Sequence, residues 1–165
     1  MNDKTCRILE LFDTFYNGNI VSLNYIRECM GSEVCTKTIL RDIKLLKDAG
    51  ILQAKYSRKW KAYIPPDGDV DFGSCIGEFS PPKLPESKSQ RLYMEKIIRL
   101  CTIMIQVIMA EVENPIDWYH KKYPNLSDRT RQRDFKLLRK VGYCITYEPE
   151  DWTGPAGYYY NYPGK

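Results

Sequence analysis

The residues of this sequence best placed to do chemistry are cations. Lys37, Arg41 and Lys44 follow one another at four- and three-residue intervals, which on a helix puts them on one face. Ile39, Ile43 and Leu46 occupy the opposite face, with Thr38 and Leu40 at the borders. A short helix that is apolar beneath and basic above is the type that lies in the major groove of a duplex. Arginine forks onto a guanine edge there, and lysine or threonine reaches phosphates and bases. A second group, Lys55, Arg58, Lys59 and Lys61 with Trp60 among them, clusters around a polar turn. Its charge suits phosphate contact beside the groove. The competing reading of either group is a solvated positive surface; the two together, in this order, favour DNA.

Catalysis finds no comparable set. The single histidine, His120, has no Cys or His at metal-ligand spacing and reads as a surface or half-buried residue. The sequence holds no glycine-rich phosphate loop, no G-x-S-x-G elbow and no H-E-x-x-H pair. Asp42 and Asp134 fall at the inner edge of basic helices, where pairing with a neighbouring Arg or Lys is expected. The chain is therefore expected to be no enzyme, with no cofactor and no metal.

The cations need elements to hold them. Ile8, Leu9, Leu11, Phe12 and Phe15 recur at helical spacing from Lys4 to Tyr16, and Asn17-Gly18-Asn19 stops that helix. A short extended piece at Ile20–Ser22 precedes a second helix from Asn24 to Met30. The basic helix, Thr36 to Ala49, is closed by Gly50, and β-rich runs at Ile51–Tyr56 and Lys61–Ile64 make a hairpin. Residues 65–87 contain five prolines and three glycines, a linker composition, though Phe72, Ile76 and Phe79 point to a segment laid against a domain. A long helix follows from Lys88 to Glu113, then a short one from Asn114 to Lys122. Ser127 caps a helix reaching Val141, closed by Gly142, and strands are expected at Tyr143–Tyr147 and Gly157–Tyr162.

The second series repeats the first at an offset of 92 residues. Thr36–Gly50 reads TKTILRDIKLLKDAG and Asp128–Gly142 reads DRTRQRDFKLLRKVG, with seven of fifteen positions identical. Two amphipathic helices alike by chance match their apolar positions; these also match Thr38 with Thr130, Arg41 with Arg133, Asp42 with Asp134 and Lys44 with Lys136. The pattern implies an internal duplication. The counterpart outward positions are Arg129, Thr130, Arg133, Lys136 and Lys140. The second hairpin instead carries Glu148, Glu150 and Asp151, which repel phosphate, and Arg131 stands where Ile39 packs inward in the first copy.

A threonine, then Arg-Asp-Ile, then leucine and a closing glycine before a hairpin resembles the winged helix-turn-helix of DeoR-type and WYL-type bacterial regulators. The resemblance covers residues 4–64 well and 93–162 more loosely. It implies a DNA-reading face weighted to the N-terminal half of the helix: Thr36, Lys37, Thr38 and Arg41. Those regulators usually join this module to a ligand-sensing domain. A second such module stands in its place here, so the effector is unknown.

Charge is arranged to match. Residues 1–64 carry eleven cations against seven anions, residues 65–87 one against five, and residues 88–165 thirteen against nine, so two basic lobes flank an acidic connector. None of the six cysteines forms a C-x-x-C pair, the first residues lack a signal-peptide layout, and no apolar run is long enough for a bilayer. The expected protein is α+β, mostly helical: two tandem winged-helix (helix-helix-helix-β-hairpin) domains at 1–64 and 88–165, joined by an acidic Pro/Gly-rich linker at 65–87. The expected function is sequence-specific binding of double-stranded DNA in the cytoplasm, as a transcriptional regulator. A replication or plasmid initiator and a winged-helix protein-interaction scaffold are the alternatives. Leu100–Ala110 is apolar nearly all round, which implies either that both domains pack against helix 88–113 or that it supports a homodimer; two-fold symmetric regulators on palindromic sites favour the dimer.

Overall fold

The computed structural model describes residues 3–164. It is α+β, with helices α1 (Lys4–Asn17), α2 (Leu23–Met30) and α3 (Thr36–Asp48) followed by strands β1 (Lys55–Ser57) and β2 (Ala62–Ile64). Then come α4 (Lys88–Ile103), α5 (Pro115–Lys122), α6 (Asp128–Lys140), β3 (Cys144–Glu148) and β4 (Gly157–Asn161). Each strand pair is an antiparallel hairpin. Among the described residues no helix is long and apolar enough to cross a membrane. The chain separates into two units, Met1–Ile98 and Arg99–Lys165.

In the first unit, the apolar stripes predicted for α1 and α3 are buried: Ile8, Leu9, Leu11, Phe12 and Phe15 against Ile39, Ile43 and Leu46, with Ile26 and Met30 from α2. Capping residues start two of the helices. Asp3 accepts the N–H of Thr5 at 3.2 Å and Ser22 that of Tyr25 at 3.1 Å, satisfying donors that a first turn leaves unpaired. The expected extended piece before α2 is a single bridge, in which Val21 and Tyr63 exchange backbone hydrogen bonds of 2.9 Å. That bridge, and the edge-to-face contact of Tyr63 with Phe15 at 5.7 Å, tie the hairpin to the helices. The strands are shorter than expected. After Gly50 the chain first turns back on α3, and the N–H groups of Ile51 and Leu52 both bond Leu46 O before pairing begins.

The segment 65–87 belongs to the first unit. Cys75 and Ile76 are buried, while Phe72 stands in solvent. Gln53 N–H donates to Cys75 O, Ser80 N–H to Gly50 O and Lys83 N–H to Asp48 O, at 3.0, 2.9 and 2.7 Å. The strap follows the end of α3 closely, and a β-carbon on Gly50 would sit 2.0 Å from Ser80 O.

The long helix, which begins in the first unit, does not run unbroken to Glu113. It widens into a π-helical turn at Met104–Ile108, with Met109 N–H reaching Met104 O at 2.9 Å. It stops where Glu111 takes a φ of +49°, a backbone state that does not continue a helix. Leu100, Cys101, Ile103, Met104, Val107 and Ile108 are all buried within the single chain. Asn114 accepts the N–H of Asp117, and Ser127 that of Thr130, at 3.1 and 3.3 Å.

The offset of 92 holds in the fold. The bounds of α2 and α5, and of α3 and α6, differ by 92 at both ends. Gly50 and Gly142 close their helices at φ +75° and +91°, donating to Lys47 O and Arg139 O at 3.0 and 3.1 Å. Ile51 and Tyr143 follow, donating to Leu46 O and Leu138 O at 3.0 Å each.

Candidate nucleic-acid interface

The face of α3 follows from its packing. With Ile39, Asp42, Ile43 and Leu46 buried, the side chains of Lys37, Leu40, Arg41 and Lys44 are left exposed, and Thr36 and Thr38 half-exposed. From Lys37 to Lys44 the axis advances about 10 Å, close to the width of a major groove. Lys44 is not wholly free, because its ammonium lies 2.5 Å from Asp48 four residues on. Lys47 is turned away from this face, its ammonium 5.3 Å from the Tyr63 ring centre, and desolvation there lowers its pKa. Arg41 also walls a cavity of about 450 Å³, shared with Lys4, Lys83 and Tyr93. The strap thus hems the C-terminal half of α3 and leaves its N-terminal half open.

The first hairpin pairs Lys55 with Ile64, Tyr56 with Tyr63 and Ser57 with Ala62. All three residues of β2, Ala62, Tyr63 and Ile64, are buried, so both faces of this short strand are covered, while Lys55 opposite Ile64 stands in solvent. Arg58, Lys59, Trp60 and Lys61 form the exposed turn. Lys61 sits at φ +49°, and the Lys59 ammonium lies 5.7 Å from the Trp60 ring centre. All seven predicted cations of the first unit are therefore accessible, on two adjacent elements of one unit.

What holds α3 in place was only half visible in the sequence. Asp42 is 1% exposed, and its carboxylate accepts Arg7 Nε at 2.6 Å and Nη2 at 3.3 Å. The partner is on α1, 35 residues away, rather than a neighbour on the same helix. The hydrogen bond to Asp42 is the main reason the Arg7 pKa is raised. The second unit repeats the device at the same offset: Asp134 accepts Arg99 Nε at 2.6 Å and Nη2 at 3.2 Å. There Tyr119 adds a hydroxyl donor at 2.8 Å. Burial first, and then this bond, push the Tyr119 phenol up. Matching Arg7 with Arg99 by the repeat offset was the available signal.

On α6, Arg129, Arg133 and Lys136 are exposed and Thr130 is half-buried beside its Ser127 cap. The core beneath is thinner than under α3, with only Asp134 and Leu138 buried. Arg131 lies where Ile39 packs in the first unit. Its guanidinium is 5.5 Å from the Phe135 ring and 3.5 Å from Asp128 Oδ1. His120 bonds the same carboxylate at 3.0 Å. Glu148, Glu150 and Asp151 are exposed on the second hairpin.

Cys35, at the N-cap of α3, is exposed, and its sulfur lies 3.3 Å from Thr38 Oγ1. Hydrogen bonds from the Thr38 side chain and backbone lower its pKa. Among the described residues no three His, Cys, Asp or Glu side chains are grouped to hold a metal ion. The chain matches no protein-family model, no curated protein and no solved structure.

Proposed function

We propose that this chain is a sequence-specific DNA-binding protein made of two tandem winged-helix modules, acting by binding rather than catalysis. Helix α3 enters the major groove through Thr36, Lys37, Thr38, Arg41 and Lys44. The β1–β2 hairpin lies along phosphates through Lys55, Arg58, Lys59 and Lys61. The observation that carries this reading is the exposure of every one of those cations on a helix and an adjoining hairpin. The helix is braced from below by a buried Arg–Asp pair. The acidic second hairpin favours a second module that meets DNA through Arg129, Thr130, Arg133 and Lys136 only. Regulation of transcription is the role this geometry fits best, and six cysteines without a C-x-x-C pair accord with a cytoplasmic setting.

A salt titration on random-sequence duplex tests the reading. If each of the four hairpin cations neutralises one phosphate, log K falls with log salt at a slope of about −3.6. Affinity then drops about 150-fold between roughly 50 and 200 mM salt. Absence of binding at the lowest salt overturns the proposal and favours a protein-interaction scaffold. Selection of bound sites from random DNA, and the half-site spacing it reveals, then separates a single reading head from two.

A further inference from the structure

The two hairpin turns are counterparts that kept one residue and inverted its neighbours. At the offset of 92, Trp60 corresponds to Trp152, while Arg58 and Lys59 correspond to Glu150 and Asp151. Both tryptophans lie in the turn of their hairpin. Trp60 is 44% exposed among cations; Trp152 is 96% exposed beside Glu148, Glu150 and Asp151.

The second turn is firmly built. Asp151 Oδ1 accepts the N–H groups of Thr153 and Gly154 at 2.7 and 3.2 Å and the Thr153 hydroxyl at 2.6 Å. Asp151 and Gly154 exchange backbone hydrogen bonds of 3.1 and 3.4 Å, and the Tyr159 hydroxyl donates to Pro155 O at 3.0 Å. A fixed frame thus holds an entire indole in water, forgoing the burial that makes tryptophan stabilising. An open indole face beside carboxylates is the chemistry that receives a guanidinium or an ammonium.

We propose that the β3–β4 turn is a docking tip for the β1–β2 turn of a second copy of this chain. Arg58 and Lys59 of one copy meet Glu150, Asp151 and Trp152 of another. Charge complementarity selects this occupant, since the chain itself presents a turn at the corresponding position, opposite in sign and with Arg58 and Lys59 exposed. The two surfaces differ, so the contact is heterologous and propagates from copy to copy unless the rotation closes a ring. It is small and solvent-exposed, so it is weak and screened by salt. It does not depend on the DNA reading.

The test is sedimentation velocity on the full chain without DNA, from about 5 to 200 µM, at roughly 50 and 300 mM salt. At low salt the weight-average mass rises with concentration; at high salt it returns to that of one chain. Glu148→Lys with Glu150→Lys, which leaves Asp151 to hold the turn, abolishes the rise, and so does Arg58→Glu with Lys59→Glu. Trp152→Ala weakens association several-fold. An equimolar mixture of the two charge-reversed variants associates again, because one then supplies basic tips and the other acidic ones. All these side chains are exposed, so circular dichroism remains that of the parent. A chain that stays monomeric at low salt, a rise that survives either reversal, or a mixture that fails to associate overturns the proposal.

Discussion

Asp42 and Asp134 allow the bracing of the two basic helices to be measured. Asp42→Ala leaves the Arg7 guanidinium, whose side chain is 13% exposed, without its carboxylate. Removing one partner of a buried pair costs about 3–5 kcal/mol. A unit of this size loses about 4–8 °C in melting temperature per kcal/mol, so the first unit should melt roughly 12–40 °C lower. Asp134→Ala also strands the Tyr119 hydroxyl, adding about 1–3 kcal/mol, and should unfold the second unit at room temperature. The control is Lys44–Asp48, which is as short as the buried pairs but has its lysine side chain 74% exposed. Its loss should cost no more than about 0.5 kcal/mol. Replacing Arg7 and Asp42 together by Met and Leu should recover most of the stability, because the penalty lies in the stranded charge. Urea denaturation followed by circular dichroism reads all four variants. If Asp42→Ala costs under about 1 kcal/mol, the pair behaves as a surface contact and the bracing argument fails.

Three further outcomes follow from the same geometry. Gly50→Ala should be far more damaging than Gly142→Ala in a thermal melt. Both lose a left-handed glycine worth about 1–2 kcal/mol, but only at Gly50 does the new β-carbon meet backbone, 2.0 Å from Ser80 O. Cys35 should react with iodoacetamide with a pH midpoint below that of an ordinary thiol, its thiolate being favoured by the Thr38 hydrogen bonds. Cys75, pushed up to about 11 by burial, should stay unreactive at neutral pH; saturating duplex should slow Cys35 several-fold, and equal rates with and without DNA would count against α3 in the groove. Arg129→Glu with Arg133→Glu should lower DNA affinity about tenfold or more and flatten the salt slope by one to two; unchanged binding would remove α6 from the interface.

Periodicity and stop signals were enough to find the helices, because each depends on a few adjacent side chains. Ile39, Ile43 and Leu46 share a face by spacing alone, so the cations opposite them had to point outward. The same logic erred where a local pattern met a long-range constraint. The apolar run after Leu100 reads as continuous helix, yet it becomes a π turn and then ends at Glu111. Runs 51–56 and 61–64 read as full strands, yet only three residues of each pair with one another, since the first residues after Gly50 bond back to α3.

From its own order of residues the chain determined its duplication, its helices with their caps, and which way the basic face of each third helix turns. Those properties rest on contacts within a few positions of each residue. Tertiary structure alone decided that Asp42 and Asp134 reach arginines 35 residues away, that a proline-rich strap clasps the end of α3, and that Trp152 stands on a fixed turn in solvent. The ion pairs and the strap join segments far apart in the chain. They form only when whole elements pack, and no local spacing encodes which distant side chain will be waiting there.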